Sequence, residues 1–335
     1  MSHTIHIEGG GSFVVSADEP SLLRGALRAG VGFPHECSVG GCGGCRFELL
    51  EGEVAPLWEG APGLSAKDRK RGKQLACQSR PLTDCRIRVR PGDEYRPKVP
   101  PRRLSATLTG RRALTSDMAE LTLRTEATAE FLPGQYALLE LPGVTGARAY
   151  SMSNLANAVG VWQFIIRRVA GGAGSGALVE GLAVGDTVEL DGPYGLAYLR
   201  PDSVLDVVCI AGGSGLAPML SVARAALAEG SSRRVEFFHG VRTTDDLCAR
   251  PMLEALPGFG ERLRLHPVVS VPRPDDGWTG ARGFVHEQLA STLERPLPSH
   301  DFYFAGPAPM IQAVQELLMV QHQVPFTQIH FDRFV

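Results

Sequence analysis

Residues 34–49 read PHECSVGGCGGCRFEL, with three cysteines and four glycines in the nine positions Cys37–Cys45. Glycine at that density defeats a regular helix or strand, so the segment is a loop. Its C-x4-C-x2-C spacing is that of plant-type [2Fe-2S] ligation, which draws a fourth thiolate from a distant cysteine. Thiolates that converge from one short loop need a tight backbone. Gly40, Gly41, Gly43 and Gly44 let N–H groups turn toward sulfur without Cβ clashes. Cys77, in LACQSRP, is the expected fourth ligand, whereas Cys85 sits in the alternating DCRIRV, where a half-buried structural cysteine is the plain reading. Zinc sites usually present two paired knuckles, and here one triplet precedes a single cysteine. The metal ligands are therefore expected to be Cys37, Cys42, Cys45 and Cys77. Cys209 and Cys248 are read as core or surface residues.

Five of the seven cysteines fall before residue 86, which argues against a disulfide framework and for a reducing, cytoplasmic setting. A net charge of −2 speaks against a general nucleic-acid or membrane-surface binder. The opening MSHTIHIEGGG lacks a signal-peptide pattern, and VLDVVCIAGGSGLAPML is too broken to span a bilayer. At 335 residues the chain suits two or three domains.

Three patterns follow one another. Residues 1–96 open with HTIHIE and SFVVSA, a hairpin joined by glycines. DEPSLLRGALRAG reads as a helix with Asp18 as N-cap, Pro20 in the first turn, an apolar stripe of Leu22, Leu23, Ala26 and Leu27, and a stop at Gly30. SAKDRKRGKQ is a polar, helical segment between strands. The proline-rich residues 97–104 form a semi-rigid linker. Residues 105–200 hold closely spaced strands and suggest an antiparallel β-barrel. From 201 to 335, strands alternate with helices, the rhythm of a parallel α/β sheet.

RAYSMSN, residues 148–154, places Arg148, Ala149, Tyr150 and Ser151 after the strand GQYALLEL. Arg148 suits a phosphate, Tyr150 a flat ring and Ser151 a ring nitrogen, although the segment alone reads equally as a packed strand pair. Downstream, RRVAGGAGSGAL sets glycines before a helical stretch and offers N–H groups to a pyrophosphate. CIAGGSGLAPM, residues 209–219, leaves an apolar strand and enters a helix. Its Gly213, Gly215 and Pro218 give G-x-G-x-x-P, a departure from the dinucleotide fingerprint that reads equally as a structural turn. Its place in the first βα unit of a parallel sheet favours a ligand.

Taken in order, CSVGGCGGC with LACQ, GQY, RAYS, AGGSGLAPM, AGPAPM and IHFDRF span nearly the whole chain. This series resembles the NADH-dependent reductase components of soluble diiron monooxygenases, with toluene-type reductases the nearest pattern. The resemblance implies an N-terminal β-grasp [2Fe-2S] ferredoxin domain, an antiparallel FAD-binding barrel and a parallel α/β NAD-binding domain. It gives Arg148, Ala149, Tyr150, Ser151, Ile165, Ile166 and Arg167 to the flavin, and Gly172, Gly174 and Ser175 to its phosphates. Gly212, Gly213, Ser214, Gly215 and Pro218, with Gly306 and Pro307, line the nicotinamide side. Phe334 stacks on the flavin where nicotinamide must displace it, so Ser151 and Phe334 stand as catalytic candidates. Without the resemblance, Phe334 reads as the closing residue of the last strand. Many members of the family have Cys before the Gly-Pro, and this chain has Ala305, which bears on hydride-transfer efficiency.

The implied route runs from NADH through FAD and the [2Fe-2S] cluster to a Rieske ferredoxin or a hydroxylase, with the reductase a monomer. FAD stands between because NADH gives two electrons as hydride and the cluster takes one at a time. Arg242 near a ribose site, with Asp245 and Asp246 beside it, favours NADH over NADPH. Two other readings stay open. One is the reductase of a ring-hydroxylating dioxygenase or deoxysugar dehydrase. The other is a redox-sensing binding protein that reports the NADH pool.

Overall fold

The computed structural model describes residues 1–228 and 231–334. The N-terminal sheet has five strands in the order Ser12–Val15, His3–Ile7, Cys85–Arg88, Arg46–Glu51, Lys73–Leu75. His3–Ile7 pairs antiparallel with its hairpin partner and parallel with Cys85–Arg88, the β-grasp arrangement expected. Alternation drives it, because Ile5, Phe13, Val15 and Ile87 all face the core. The helix Leu22–Arg28 lays Leu22, Leu23, Ala26 and Leu27 on that sheet. Gly25 permits the close approach, since a Cβ there would lie 2.9 Å from Val15 Cγ2.

Two local expectations need correction. The helix is capped by Ser21, whose hydroxyl accepts from Arg24 N–H, so it starts after Pro20 and Asp18 is not its N-cap. Asp18 instead pairs with Arg103 at 3.3 Å, a tertiary contact invisible to local pattern. The barrel's first strand is Arg102–Ala113, not 105 onward, because Arg102 and Arg103 pair with Gly192 and Asp191. The proline-rich spacer therefore ends at Pro101.

Six antiparallel strands follow, in the order Arg148–Ser151, Tyr136–Glu140, Thr187–Tyr194, Arg102–Ala113, Met118–Arg124, Val161–Arg167. A bridge between Met152 and Phe164 joins the two outer strands and closes the barrel. Trp162, Phe164, Leu121 and Leu138 are among its fully buried side chains.

The C-terminal sheet has six parallel strands, ordered Ala281–Arg282, Leu263–Val269, Val235–Val241, Asp206–Gly212, His300–Pro307, Ile329–Phe334. Sequence periodicity missed Leu263–Val269 because Pro267 sits inside it. The first strand in the chain, Asp206–Gly212, lies centrally with later strands on both sides. Its carboxyl end is thus the switch point where an open α/β sheet binds ligands.

Two buried histidines report on this domain. Burial pushes the His239 pKa down to about 4 and that of His330 down to about 3, and each Nε2 lacks a partner among the described residues. The unfolded chain therefore takes up these protons first, so stability is lost as pH falls below about 6.5. At pH 4 the His239 contribution is roughly 3 kcal/mol. Thermal unfolding of wild type and His239→Gln between pH 7 and pH 4 is expected to show a shallower acid loss in the variant.

Candidate functional site

The four cysteines gather as two pairs. Cys45 Sγ and Cys77 Sγ lie 3.3 Å apart, and the Cys37 and Cys42 thiols interact across the loop. Backbone N–H groups point at sulfur as the glycines require: Cys42 N–H at 3.4 Å from Cys37 Sγ, and Gly44 N–H at 3.3 Å from Cys42 Sγ. Gly40 and Gly43 hold φ of +90° and +79°, where a side chain would be strained. The Cys42 thiol and the loop N–H groups pull the Cys37 pKa down to about 5, so a thiolate is favoured there. No three His, Cys, Asp or Glu side chains converge on a single-ion position among the described residues. Two thiol pairs suit a two-iron centre, with one pair for each metal. Cys85 is buried in its strand, its Sγ 3.3 Å from the Thr83 carbonyl. Cys209 is core, and Cys248 is buried before the helix Ala249–Glu254.

Beside this loop lies a cavity of about 640 Å³, within the range of cofactor sites. All three structural units line it. The cluster loop supplies Glu36, Cys37 and Val39. The barrel supplies Tyr136, Arg148 to Ser151, Ile165 to Arg167 and Gly172 to Ser175. The α/β sheet supplies Gly212, Gly213, Ser214, Pro307 and Asp332 to Phe334. Of the flavin residues expected from the sequence, every one lines this single space. Arg148 Nη1 donates to the carbonyls of Thr145, Gly146 and Ala147, which holds the guanidinium at the wall. Gly174 makes room for it, because a Cβ there would stand 2.8 Å from Arg148 Cγ. Ser175 Oγ accepts from Val169 N–H at 3.0 Å and fixes the glycine turn before the helix Ala173–Gly176.

Glu36 Oε1 and Asp332 Oδ2 are buried without partners among the described residues, as a wall shaped for a polar ligand would leave them. Neither was singled out from the sequence, although Asp332 lies in the motif IHFDRF. Tyr136, from GQY, was also unassigned. Its hydroxyl donates to the Glu36 carbonyl at 2.6 Å and lies 2.7 Å from the Ser38 hydroxyl, linking barrel to cluster loop.

Three residues of the nicotinamide set lie off the cavity wall. Pro218 is buried in the helix Leu216–Ala226, Gly306 is buried at φ +152°, and Gly215 packs on the next strand. A Cβ at Gly215 would stand 2.0 Å from the Ala305 carbonyl oxygen. Gly215→Ala is therefore expected to cost about 1–3 kcal/mol and to slow NADH-driven reduction more than tenfold, read by stopped-flow absorbance. Arg242 is exposed beyond strand Val235–Val241 and is absent from the cavity wall. Its neighbour Asp245 binds Arg273 through both oxygens at 2.9 Å.

Comparison with known proteins defines the class. The chain matches the 2Fe-2S iron-sulfur cluster binding domain over residues 5–82, the oxidoreductase FAD-binding domain over 105–198 and the oxidoreductase NAD-binding domain over 209–316. It is an NADH-dependent flavin iron–sulfur oxidoreductase. The ferredoxin–NAD(+) reductase component of an alkene monooxygenase system from Xanthobacter autotrophicus is 42% identical over 332 residues, covering 99% of this chain and 100% of that one. A ferredoxin–NAD(P)(+) reductase of Metapseudomonas resinovorans is 43% identical over 319 residues, covering 94% of each. A solved ferredoxin reductase of carbazole 1,9a-dioxygenase superposes with a TM-score of 0.92 at 38% identity, covering 100% of this chain and 99% of that one. The chain belongs to the family of ferredoxin–NAD(+) reductase components of multicomponent oxygenase systems. No helix of the described residues is long and apolar enough to cross a membrane.

Proposed function

We propose that this chain carries electrons from NADH through FAD and the cluster to a Rieske ferredoxin or a hydroxylase of a multicomponent aromatic or alkene monooxygenase. The observation that supports it most is the shared wall of the cavity, where cluster loop, barrel and α/β sheet meet. Cys37, Cys42, Cys45 and Cys77 would hold the cluster, which would supply one-electron transfer there. FAD bound there would supply the conversion between two-electron and one-electron transfer. Around it, Arg148, Gly172, Gly174 and Ser175 bind the phosphates, and Ser151 hydrogen-bonds the ring edge. Phe334 would cover the ring face, and Gly212 to Ser214 with Pro307 would line the path of nicotinamide to it. The units divide at 1–96, 102–200 and 201–335, with 97–101 as the spacer.

A second reading, service to a ring-hydroxylating dioxygenase, is favoured by the likeness to the carbazole-dioxygenase reductase. Mixing the NADH-reduced protein anaerobically with an oxidised Rieske ferredoxin or a diiron hydroxylase separates the acceptors. Fast reduction of the Rieske protein supports a relay one step from the oxygenase. Fast reduction of the hydroxylase alone points to direct delivery, and transfer to neither rejects the proposal.

A further inference from the structure

The cluster loop has a second face, away from the flavin cavity. There the segment Pro56–Leu64 lies against it: Gly63 N–H donates to the Gly40 carbonyl at 2.9 Å. Trp58 packs on the same glycine, since a Cβ on Gly40 would come within 3.2 Å of Trp58 Cε3. Yet Trp58 is 49% exposed and Leu57 46%, with Pro56 and Pro62 also in water. An indole and a leucine side by side at the surface, directly over a redox centre, are costly unless something covers them.

Charge is spread unevenly along this part of the chain. Residues 57–80 hold six Lys and Arg against two acids, whereas the rest of residues 1–96 holds seven against ten, in a chain of net charge −2. Arg69 donates to the Ala61 carbonyl at 2.9 Å and fixes the helix Ala66–Lys70 beside the segment. Asp68 is consumed by Arg46 and Lys73, at 3.2 and 3.5 Å. Lys67, Lys70 and Arg71 are exposed, and none is in an ion pair among the described residues. An apolar patch with a basic helix beside it suits a partner that is apolar at the contact and acidic next to it.

We infer that Leu57 and Trp58, flanked by the helix that carries Lys67 and Lys70 and by the adjoining Arg71, form the docking surface for an acidic electron-acceptor protein, which takes its electron across the Gly40 side of the cluster loop. This inference rests on the proposed route through the cluster. Trp58 anchors the complex and the lysines steer the encounter, so transfer slows as salt rises.

The test uses the full holoprotein, an acidic Rieske ferredoxin and basic cytochrome c as probes, and two variants, Trp58→Ala and Lys67→Glu/Lys70→Glu. Both variants are expected to reduce the acidic ferredoxin about tenfold or more slowly, with NADH-driven flavin and cluster reduction unchanged. The charge-reversed variant is expected to lose the salt dependence and to reduce cytochrome c faster. Lys67 and Lys70 are exposed and in no ion pair among the described residues, so that variant tests the surface even if Trp58→Ala perturbs the loop. Reduction of the acidic ferredoxin at the wild-type rate by both variants overturns the surface alone. A wild-type protein that reduces ferricyanide but no protein acceptor overturns the proposed function, and the surface with it.

Discussion

Asp191→Ala is expected to uncouple the ferredoxin unit from the flavin barrel. Asp191 lies in the barrel strand Thr187–Tyr194 and is 0% exposed. It receives Arg28 through both oxygens, at 3.0 and 2.8 Å, Arg24 at 3.1 Å and the Tyr194 hydroxyl at 2.9 Å. Both arginines come from the ferredoxin helix. Arg24 also reaches Glu140 of the barrel at 2.7 Å, and Arg28 is tied to Glu19, which accepts from Arg103 at 3.0 Å. Burial would push the Arg24 pKa down, but the charge of Asp191 overrides it and leaves it raised. Removing Asp191 takes the buried anion from two guanidinium groups, leaves Arg24 only Glu140 and Arg28 only Glu19, and costs about 3 kcal/mol. Asp191 does not line the flavin cavity. NADH-driven flavin reduction should therefore keep its rate while cluster reduction slows more than tenfold, and protease should cut the 97–101 spacer faster. Replacing Arg24, Arg28 and Asp191 together by apolar residues is expected to recover part of the stability, because Glu19 keeps Arg103 and Glu140 is 39% exposed to water. Wild-type cluster reduction in Asp191→Ala would mean that this network does not hold the two redox sites together.

Cys77→Ser is expected to abolish the cluster's visible and EPR signals. Cys77 is the only one of the four thiols from outside the glycine loop, and its pairing with Cys45 closes the set. Flavin-dependent reduction of ferricyanide by NADH should persist, since the cavity wall uses Cys37 and not Cys77. Reduction of protein acceptors should fall to background. Cys85→Ser is the control: its sulfur is bound to carbonyls of Glu53 and Thr83, and the cluster signals should survive. A full signal in Cys77→Ser, or its loss in Cys85→Ser, would reassign the fourth ligand.

The cysteine pattern and the order of domains were legible because each depends on local chemistry. A glycine-rich triplet has few uses, and strand spacing changes visibly at residues 105 and 201. The cavity lining was also legible, through short motifs whose glycines and arginine face one space. What escaped shares one property: it depends on contacts distant in sequence. Ser21 rather than Asp18 caps the first helix because the helix begins at Leu22, and Asp18 pairs instead with Arg103, 85 residues on. Strand Leu263–Val269 was hidden by Pro267. Glu36, Asp332 and Tyr136 looked like ordinary loop or strand residues until three units folded against one another. The buried Asp191 set could not be read at all, since an aspartate in ELDGPYG carries no sign of two arginines from another domain.

An anaerobic titration with NADH, followed by visible absorbance and EPR, tests the central claim most directly. The account predicts bleaching of the flavin together with the EPR signal of a reduced [2Fe-2S] cluster, saturating near about 1.5 equivalents of NADH for three electrons per chain. Flavin bleaching that stops at one equivalent, with the cluster left oxidised, would contradict it.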